Sequence, residues 1–307
     1  MDAMQVTAKL GFEEEVRELR GKLAVWIADT DEEIRPLLAW QFQGGSKYYR
    51  PLTIFSCYRA IYRGRIPRGL IRSAAVLEMF HNVSLIIDDI LDRSQYRRGV
   101  LTLHAKFGML AALMASGYIV ADGYRLLQHD AHDINLLAEL LKRLGVAECL
   151  QWRLRRHPLG LEDWRKIASE DTGSMFEVCA CLGTRTEELR RFGHLIGVLY
   201  HGCDDVGDVR GAEALGGGGE EDVRDGILTL PAALATRNAR VAALFMNTDA
   251  SEADVQEMAR AFEATLPEAE RYLDMIAEDA RREARELAAN PEPLLALVDH
   301  TRQLSNR

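Results

Sequence analysis

The sequence predicts an all-α protein built as a single large helical bundle. Three observations carry that expectation. Apolar residues recur at three- and four-residue steps along most of the 307 residues, prolines number only eight, and no stretch alternates apolar and polar residues as a half-buried strand would. With no repeat at solenoid spacing, residues 1–307 read as one domain.

The elements follow in order. GFEEEVRELRGKLAVWIAD sets Phe12, Val16, Leu19, Leu23 and Trp26 on one helical face. RPLLAWQFQ continues as helix until GGSKYYRP, where Gly44, Gly45 and Pro51 punctuate the chain. Two mostly apolar helices are expected over roughly 51–62 and 68–92, with Gly64 and Pro67 at the turn between them. Further helices are expected over about 104–128, 133–153, 161–182 and 187–209. Around four consecutive glycines, residues 211–226 read as a mobile loop. TLPAALATRNARVAALF resumes the helix with Pro231 in a first turn, where its missing N–H costs nothing. SEADVQEMARAFEAT opens with a capping-box pattern, Ser251 then Asp254. PEAERYLDMIAEDARREARELAAN reads as an alternating-charge helix at the surface.

Hydrophobic residues make up 48% of the chain and charged residues 28%, which supports a sizeable core and excludes wholesale disorder. A formal net charge of −9 with no long basic block argues against a nucleic-acid partner, but leaves room for a cationic pocket. The five cysteines are odd in number and lack metal-site spacing, and Cys179 and Cys181 lie in an apolar run. Buried free thiols in a reducing cytosol are the expectation. The N-terminus lacks a signal-peptide pattern, and no apolar run was expected to reach the ~18 residues of a membrane span. The expected setting is cytoplasmic.

Chemistry concentrates in two acidic stretches, SLIIDDILDRSQYRRG with Asp88, Asp89 and Asp92, and HGCDDVGDVRG with Asp204, Asp205 and Asp208. Like charges four apart on a helix destabilise it by roughly 0.2–0.5 kcal/mol per pair, so something should offset them. Taking Asp at roughly one residue in twenty, one DDxxD by chance in this length is about a 4% event and two on the order of one in a thousand. Both follow apolar runs, which is the wrong context for a solvated acidic turn. Hard carboxylate oxygens at this spacing suit Mg²⁺, which completes its shell with water and substrate phosphates. A calcium scaffold is disfavoured, since the twelve-residue loop with its central glycine is absent.

These stretches, with GGSKYYRP, LTLHAKFG, DTGSMF and GILTLP in the same order, resemble the all-trans isoprenyl diphosphate (polyprenyl) synthase family over most of the chain. The resemblance implies an α-helical bundle with a central cavity and a homodimer. It also implies Mg²⁺-dependent transfer from an allylic prenyl diphosphate to isopentenyl diphosphate. By that resemblance Asp88, Asp89, Asp92, Asp204 and Asp208 are metal ligands, and Asp205 a direct or water-mediated one. Arg97 contacts the allylic diphosphate, while Lys47, Arg50, His81 and Arg98 hold isopentenyl diphosphate. Thr172 and His201 belong to the diphosphate-handling set. Fixed cations beside an acidic site are what gathering two diphosphates requires. Apart from the resemblance, Lys47 and Arg50 read equally as a basic loop and His81 as a core histidine. Chain length is limited in the family by side chains just before the first motif. Val83 and Ser84 are modest there, which implies a product of geranylgeranyl length or longer, unless Met109 or Met114 supplies a floor.

The chain departs from the family pattern where diphosphate is handled. Ser46 is inserted in the glycine-rich turn, Tyr48 stands where arginine is usual, and Asp171 replaces the lysine before Thr172. His201 stands for a glutamine, Ile227 for a lysine and Tyr118 for an aspartate. Each lost charge-assisted hydrogen bond removes roughly 1.5–3 kcal/mol. Two alternatives therefore stand beside the synthase: a terpene synthase that ionises and cyclises one prenyl diphosphate, and a weakly catalytic regulatory subunit.

Overall fold

The computed structural model describes residues 3–43, 46–97, 99–211 and 219–306. Among these the regular structure is helical apart from one hairpin of two-residue strands, so the all-α expectation holds. Packing divides the chain into two compact units, residues 1–138 with 179–187 and residues 139–178 with 188–307.

The first unit begins with α1 (Ala3–Leu10), α2 (Glu13–Ala28) and α3 (Arg35–Phe42). Helix α2 buries the predicted stripe, Val16, Leu19, Leu23 and Trp26, and the Trp26 indole N–H donates to Asp122 Oδ2 at 2.8 Å. Next come α4 (Tyr49–Ile61) and α5 (Arg68–Leu91), followed by strands β1 (Tyr96–Arg97) and β2 (Val100–Leu101). The antiparallel hairpin pairs Tyr96 with Leu101 and Arg97 with Val100. Two-residue strands are too short to display an alternating pattern, which is why the sequence showed none. Gly108, at φ 89°, splits the helix expected over 104–128 into α6 (Leu103–Phe107) and α7 (Met109–Leu126). A Cβ on Gly123 would lie 2.4 Å from the Phe80 ring, so the glycine lets α5 and α7 cross closely.

Helix α5 corrects one expectation. It is long and apolar enough to cross a membrane by length and composition, but 72% of its apolar window is buried, as in the core helix of a bundle.

Helix α8 (Ala131–Leu154) starts in the first unit and ends in the second, where α9 (Leu161–Ala168), a π-helical turn (Ser169–Gly173), α10 (Ser174–Thr184) and α11 (Arg190–Val209) follow. Residues 179–184 of α10 return to the first unit. There a Cβ on Gly183 would lie 2.5 Å from the Ile54 carbonyl oxygen. The cysteines are free and all but Cys149 are buried, and burial pushes the Cys57 and Cys179 thiols up.

Of the loop expected over 211–226, residues 212–218, with three of the four glycines, lie outside the described residues. Gly219–Asp225 forms helix α12 instead of loop. Helices α13 (Leu230–Ala235), α14 (Ala239–Phe245), α15 (Glu252–Leu287) and α16 (Glu292–Arg302) complete the second unit. Pro231 sits in the first turn of α13, and the Ser251–Asp254 capping box forms in full. Helix α15 runs through Pro267. An interior proline costs a helix ~3 kcal/mol, and the buried stripe Val255, Met258, Phe262, Leu266, Leu273 and Ile276 offsets that loss.

Candidate active site

In the first unit, the acidic motif ends α5. Arg93 takes a left-handed conformation at φ 56°, its N–H donates to the Ile90 carbonyl, and the Ser94 N–H reaches back to the Asp89 carbonyl. This paired closure stops the helix at Asp92, which caps it and is exposed. Asp89 is buried, and the Arg97 Nε–H on β1 donates to its Oδ1 at 2.6 Å. Burial pushes the Asp89 carboxyl up, and the Arg97 guanidinium opposes that shift.

A cavity of about 420 Å³ opens beside this end of α5. Glu78, His81, Asn82, Leu85 and Asp89 recur at three- and four-residue steps and line one wall. Arg97, Ser46 and Tyr48 border the same space. The Gln41 side-chain amide donates to Asn82 Oδ1 at 3.2 Å, and the Trp40 indole N–H donates to the Leu101 carbonyl at 2.9 Å, tying α3 to the hairpin. Three predicted site residues, His81, Asp89 and Arg97, therefore meet around one cavity. Lys47 and Arg50 flank Tyr48 and are half-buried, and Arg98 lies outside the described residues.

Val83 is buried in the core of the unit, while the Ser84 hydroxyl donates to the His81 carbonyl at 2.9 Å. Met109 and Met114, the alternative floor residues, lie exposed on α7. The sequence reading missed Glu78, Asn82 and Gln41. A carboxylate inside the apolar run VLEMFH was the one signal that marked Glu78.

In the second unit, Asp204, Asp205 and Asp208 occupy the last turns of α11. Asp205 is buried, and its Oδ2 accepts the Trp164 indole N–H and the Leu230 backbone N–H, each at 2.7 Å. This oxygen anchors α9 and the start of α13 to α11. One turn earlier, His201 Nδ1 lies 2.9 Å from Thr172 Oγ1 and 3.3 Å from Asp171 Oδ2, and Thr172 Oγ1 donates to Asp171 Oδ2 at 2.9 Å. Burial alone would depress the imidazole, but Asp205, Asp171 and Asp204 outweigh it and push His201 up to about 9. His201 is therefore an imidazolium at neutral pH. The Asp171 carboxylate has that cation beside it. Thr172 and Asp171 reach α11 because Gly173 and Gly197 pack the π turn against it; a Cβ at Gly197 would stand 2.6 Å from the Thr172 carbonyl oxygen. Ile227 is half-buried, and its N–H donates to the Asp222 carbonyl.

Within each unit the motif's donors suit Mg²⁺: one carboxylate oxygen of Asp88 in the first, and one each of Asp204 and Asp208 in the second, is buried without a hydrogen bond, while each residue keeps another polar or electrostatic interaction. A separate group, Asp130, His132 and Asp133, also clusters among the described residues. Its carboxylates are already engaged: Arg185 donates to both, and the Ser73 hydroxyl donates to Asp133.

The chain matches the polyprenyl synthetase family over residues 31–265. It is 29% identical over 297 residues to the nonaprenyl diphosphate synthase of Mycobacterium tuberculosis, covering 90% of this chain and 88% of that protein. It is 30% identical over 216 residues to the octaprenyl diphosphate synthase of Haemophilus influenzae, covering 66% and 65%. The fold matches a polyprenyl synthase from Caulobacter crescentus, solved with calcium and isoprenyl diphosphate. The TM-score is 0.86 at 24% identity, covering 98% of this chain and 97% of that one. It likewise matches heptaprenyl diphosphate synthase from Staphylococcus aureus, with TM-score 0.86 at 21% identity, covering 96% and 98%.

Proposed function

The chain belongs to the polyprenyl synthetase family, and from that premise we propose that it joins an allylic prenyl diphosphate to isopentenyl diphosphate, releasing a trans-polyprenyl diphosphate of geranylgeranyl length or longer. The observation that carries this reading is the cavity where His81 and Arg97 meet Asp89 of the first acidic motif, bordered by Ser46 and Tyr48 of the segment that also carries Lys47 and Arg50. A second diphosphate needs such a pocket, whereas an enzyme that only ionises one prenyl diphosphate does not.

Asp88, Asp89, Asp92, Asp204 and Asp208 would hold Mg²⁺. Bound there, Mg²⁺ neutralises the charge that builds on a departing diphosphate. Arg97 holds the allylic diphosphate, and Lys47, Arg50, His81 and Arg98 hold that of isopentenyl diphosphate. The His201 imidazolium, held beside the Thr172 hydroxyl, donates a hydrogen bond to the leaving group, taking over from the cations that Asp171 and Ile227 displace. Asp205 keeps α11 in register with α9 and α13. The modest size of Val83 and Ser84, at the positions that limit chain length in the family, supports a product of geranylgeranyl length or longer. Met109, Leu110, Leu113 and Met114 form an exposed apolar face on α7, which supports a homodimer. Free, mostly buried thiols support a reducing, cytoplasmic setting.

The test is a product assay with Mg²⁺ and dimethylallyl, geranyl, farnesyl or geranylgeranyl diphosphate, each with and without isopentenyl diphosphate. The expected result is a longer diphosphate formed only when isopentenyl diphosphate is present. A hydrocarbon or alcohol formed without it would replace this reading with a terpene synthase, and silence despite diphosphate binding would replace it with a regulatory subunit.

A further inference from the structure

Tyr48 precedes α4 at φ 51° and ψ 30°, a left-handed conformation that a bulky side chain rarely adopts. Something must hold it there. The Tyr48 backbone N–H donates to Ser46 Oγ at 3.2 Å, a local bond that a hydroxyl two residues earlier is suited to make. The same Ser46 hydroxyl donates its proton to Glu78 Oε1 at 2.5 Å. Glu78 is 2% exposed in the middle of α5, and a carboxylate buried there needs hydrogen-bond donors. One hydroxyl therefore serves two ends, bracing a strained turn and satisfying a buried acid.

The turn it braces carries Lys47 and Tyr48 and leads directly into Arg50, and Ser46, Tyr48 and Glu78 all border the same cavity as His81. Glu78 also sits one helical turn before His81, so its hydrogen bond ties the turn to the part of α5 that presents the imidazole.

We propose that Ser46 and Glu78 form a clamp that positions the 46–50 segment for the acceptor substrate. Neither residue touches the reacting atoms; both act through the placement of Lys47, Tyr48 and Arg50. The proposal rests on the assignment of this cavity to isopentenyl diphosphate. The clamp therefore affects capture of the acceptor and leaves ionisation of the allylic donor alone.

The experiment measures isopentenyl diphosphate binding by calorimetry and steady-state rates for the full chain and its Ser46→Ala, Ser46→Thr and Glu78→Gln variants. For Ser46→Ala, the acceptor Kd and KM should rise about tenfold, with kcat and the KM of the allylic substrate within twofold of the parent. Ser46→Thr, which restores the hydroxyl, and Glu78→Gln, which keeps an acceptor oxygen, should return the acceptor KM to within threefold. A thermal melt accompanies each variant. Position 46 is a half-buried loop site whose hydroxyl can be removed without opening the core, so an intact melt is expected. If Ser46→Ala is unfolded, an unchanged acceptor KM in a folded Ser46→Gly variant would still refute the clamp. An unchanged acceptor KM in folded Ser46→Ala refutes the clamp and leaves the function standing. An equal loss for both substrates also refutes it. Failure of the parent protein to bind isopentenyl diphosphate overturns the cavity assignment and the clamp together.

Discussion

Gly197 offers a sharp test of how the second unit holds its chemistry. In Gly197→Ala the new Cβ would stand 2.6 Å from the Thr172 carbonyl oxygen, 2.7 Å from Gly173 Cα and 3.0 Å from Gly173 N. Ordinary contact begins at 3.4 Å, so the tightest approach is short by 0.8 Å (3.4 − 2.6), and every atom involved is backbone. No rotamer change can relieve it. Helix α11 and the π turn must move apart, and overpacking of this kind costs about 1–3 kcal/mol. For a chain of this size that is a fall in Tm on the order of 5 °C. The movement also separates His201, one turn further along α11, from Thr172 at 2.9 Å. A misplacement near 1 Å can cost about 100-fold in rate, so kcat should fall at least tenfold. The control is Gly21→Ala on α2, where a Cβ meets nothing within 4 Å. There, relief of the glycine penalty should add about 0.5–1 kcal/mol with no change in rate. Differential scanning calorimetry and single-turnover kinetics read both quantities. A Gly197→Ala protein that melts and turns over like its parent would refute the claim that this crossing positions Thr172.

Three further outcomes are expected. His201 is raised to about 9 in the folded, metal-free chain against about 6.5 unfolded, so its contribution to stability is complete below 6.5 and disappears as pH rises through 9. Melts of the parent against His201→Gln between pH 6 and 10 should converge at the alkaline end; parallel curves would contradict the imidazolium. Trp164→Phe removes the indole donor to Asp205 and should cost about 1–3 kcal/mol by denaturant unfolding, because a buried carboxylate oxygen loses one of its two donors. Titrating Mg²⁺ should raise the Tm of the parent but not that of Asp88→Asn combined with Asp208→Asn, and an equal rise in both would remove these residues from the metal site.

The sequence displayed what is local and hid what depends on distant partners. The six aspartates were legible because DDxxD is a spacing, and the helices because apolar periodicity is one too. Asp171 and His201 appeared as two separate departures from a pattern. Thirty residues apart, nothing in the sequence marked them as neighbours, yet together they place a cation beside a carboxylate. Ser46 likewise looked like an interruption until Glu78, 32 positions away, supplied its partner. The hairpin was invisible at two residues per strand, and the break at Gly108 depended on a backbone angle. That α15 runs unbroken through Pro267 was hidden as well, because the burial that keeps it continuous is a tertiary effect.

The return of residues 179–187 to the first unit has a consequence for how the chain is made. Until that segment emerges, Ile54 lacks the Gly183 backbone against it, Tyr62 has no Thr184 carbonyl to donate to, and Asp130 and Asp133 have no Arg185. By then residues 139–178 of the other unit have already left the ribosome. Neither half can be finished by N-terminal synthesis alone. A stop codon or a protease cut near residue 138 should leave a sticky, unfinished fragment in place of a free-standing module, and chaperones would meet this protein as one long folding unit.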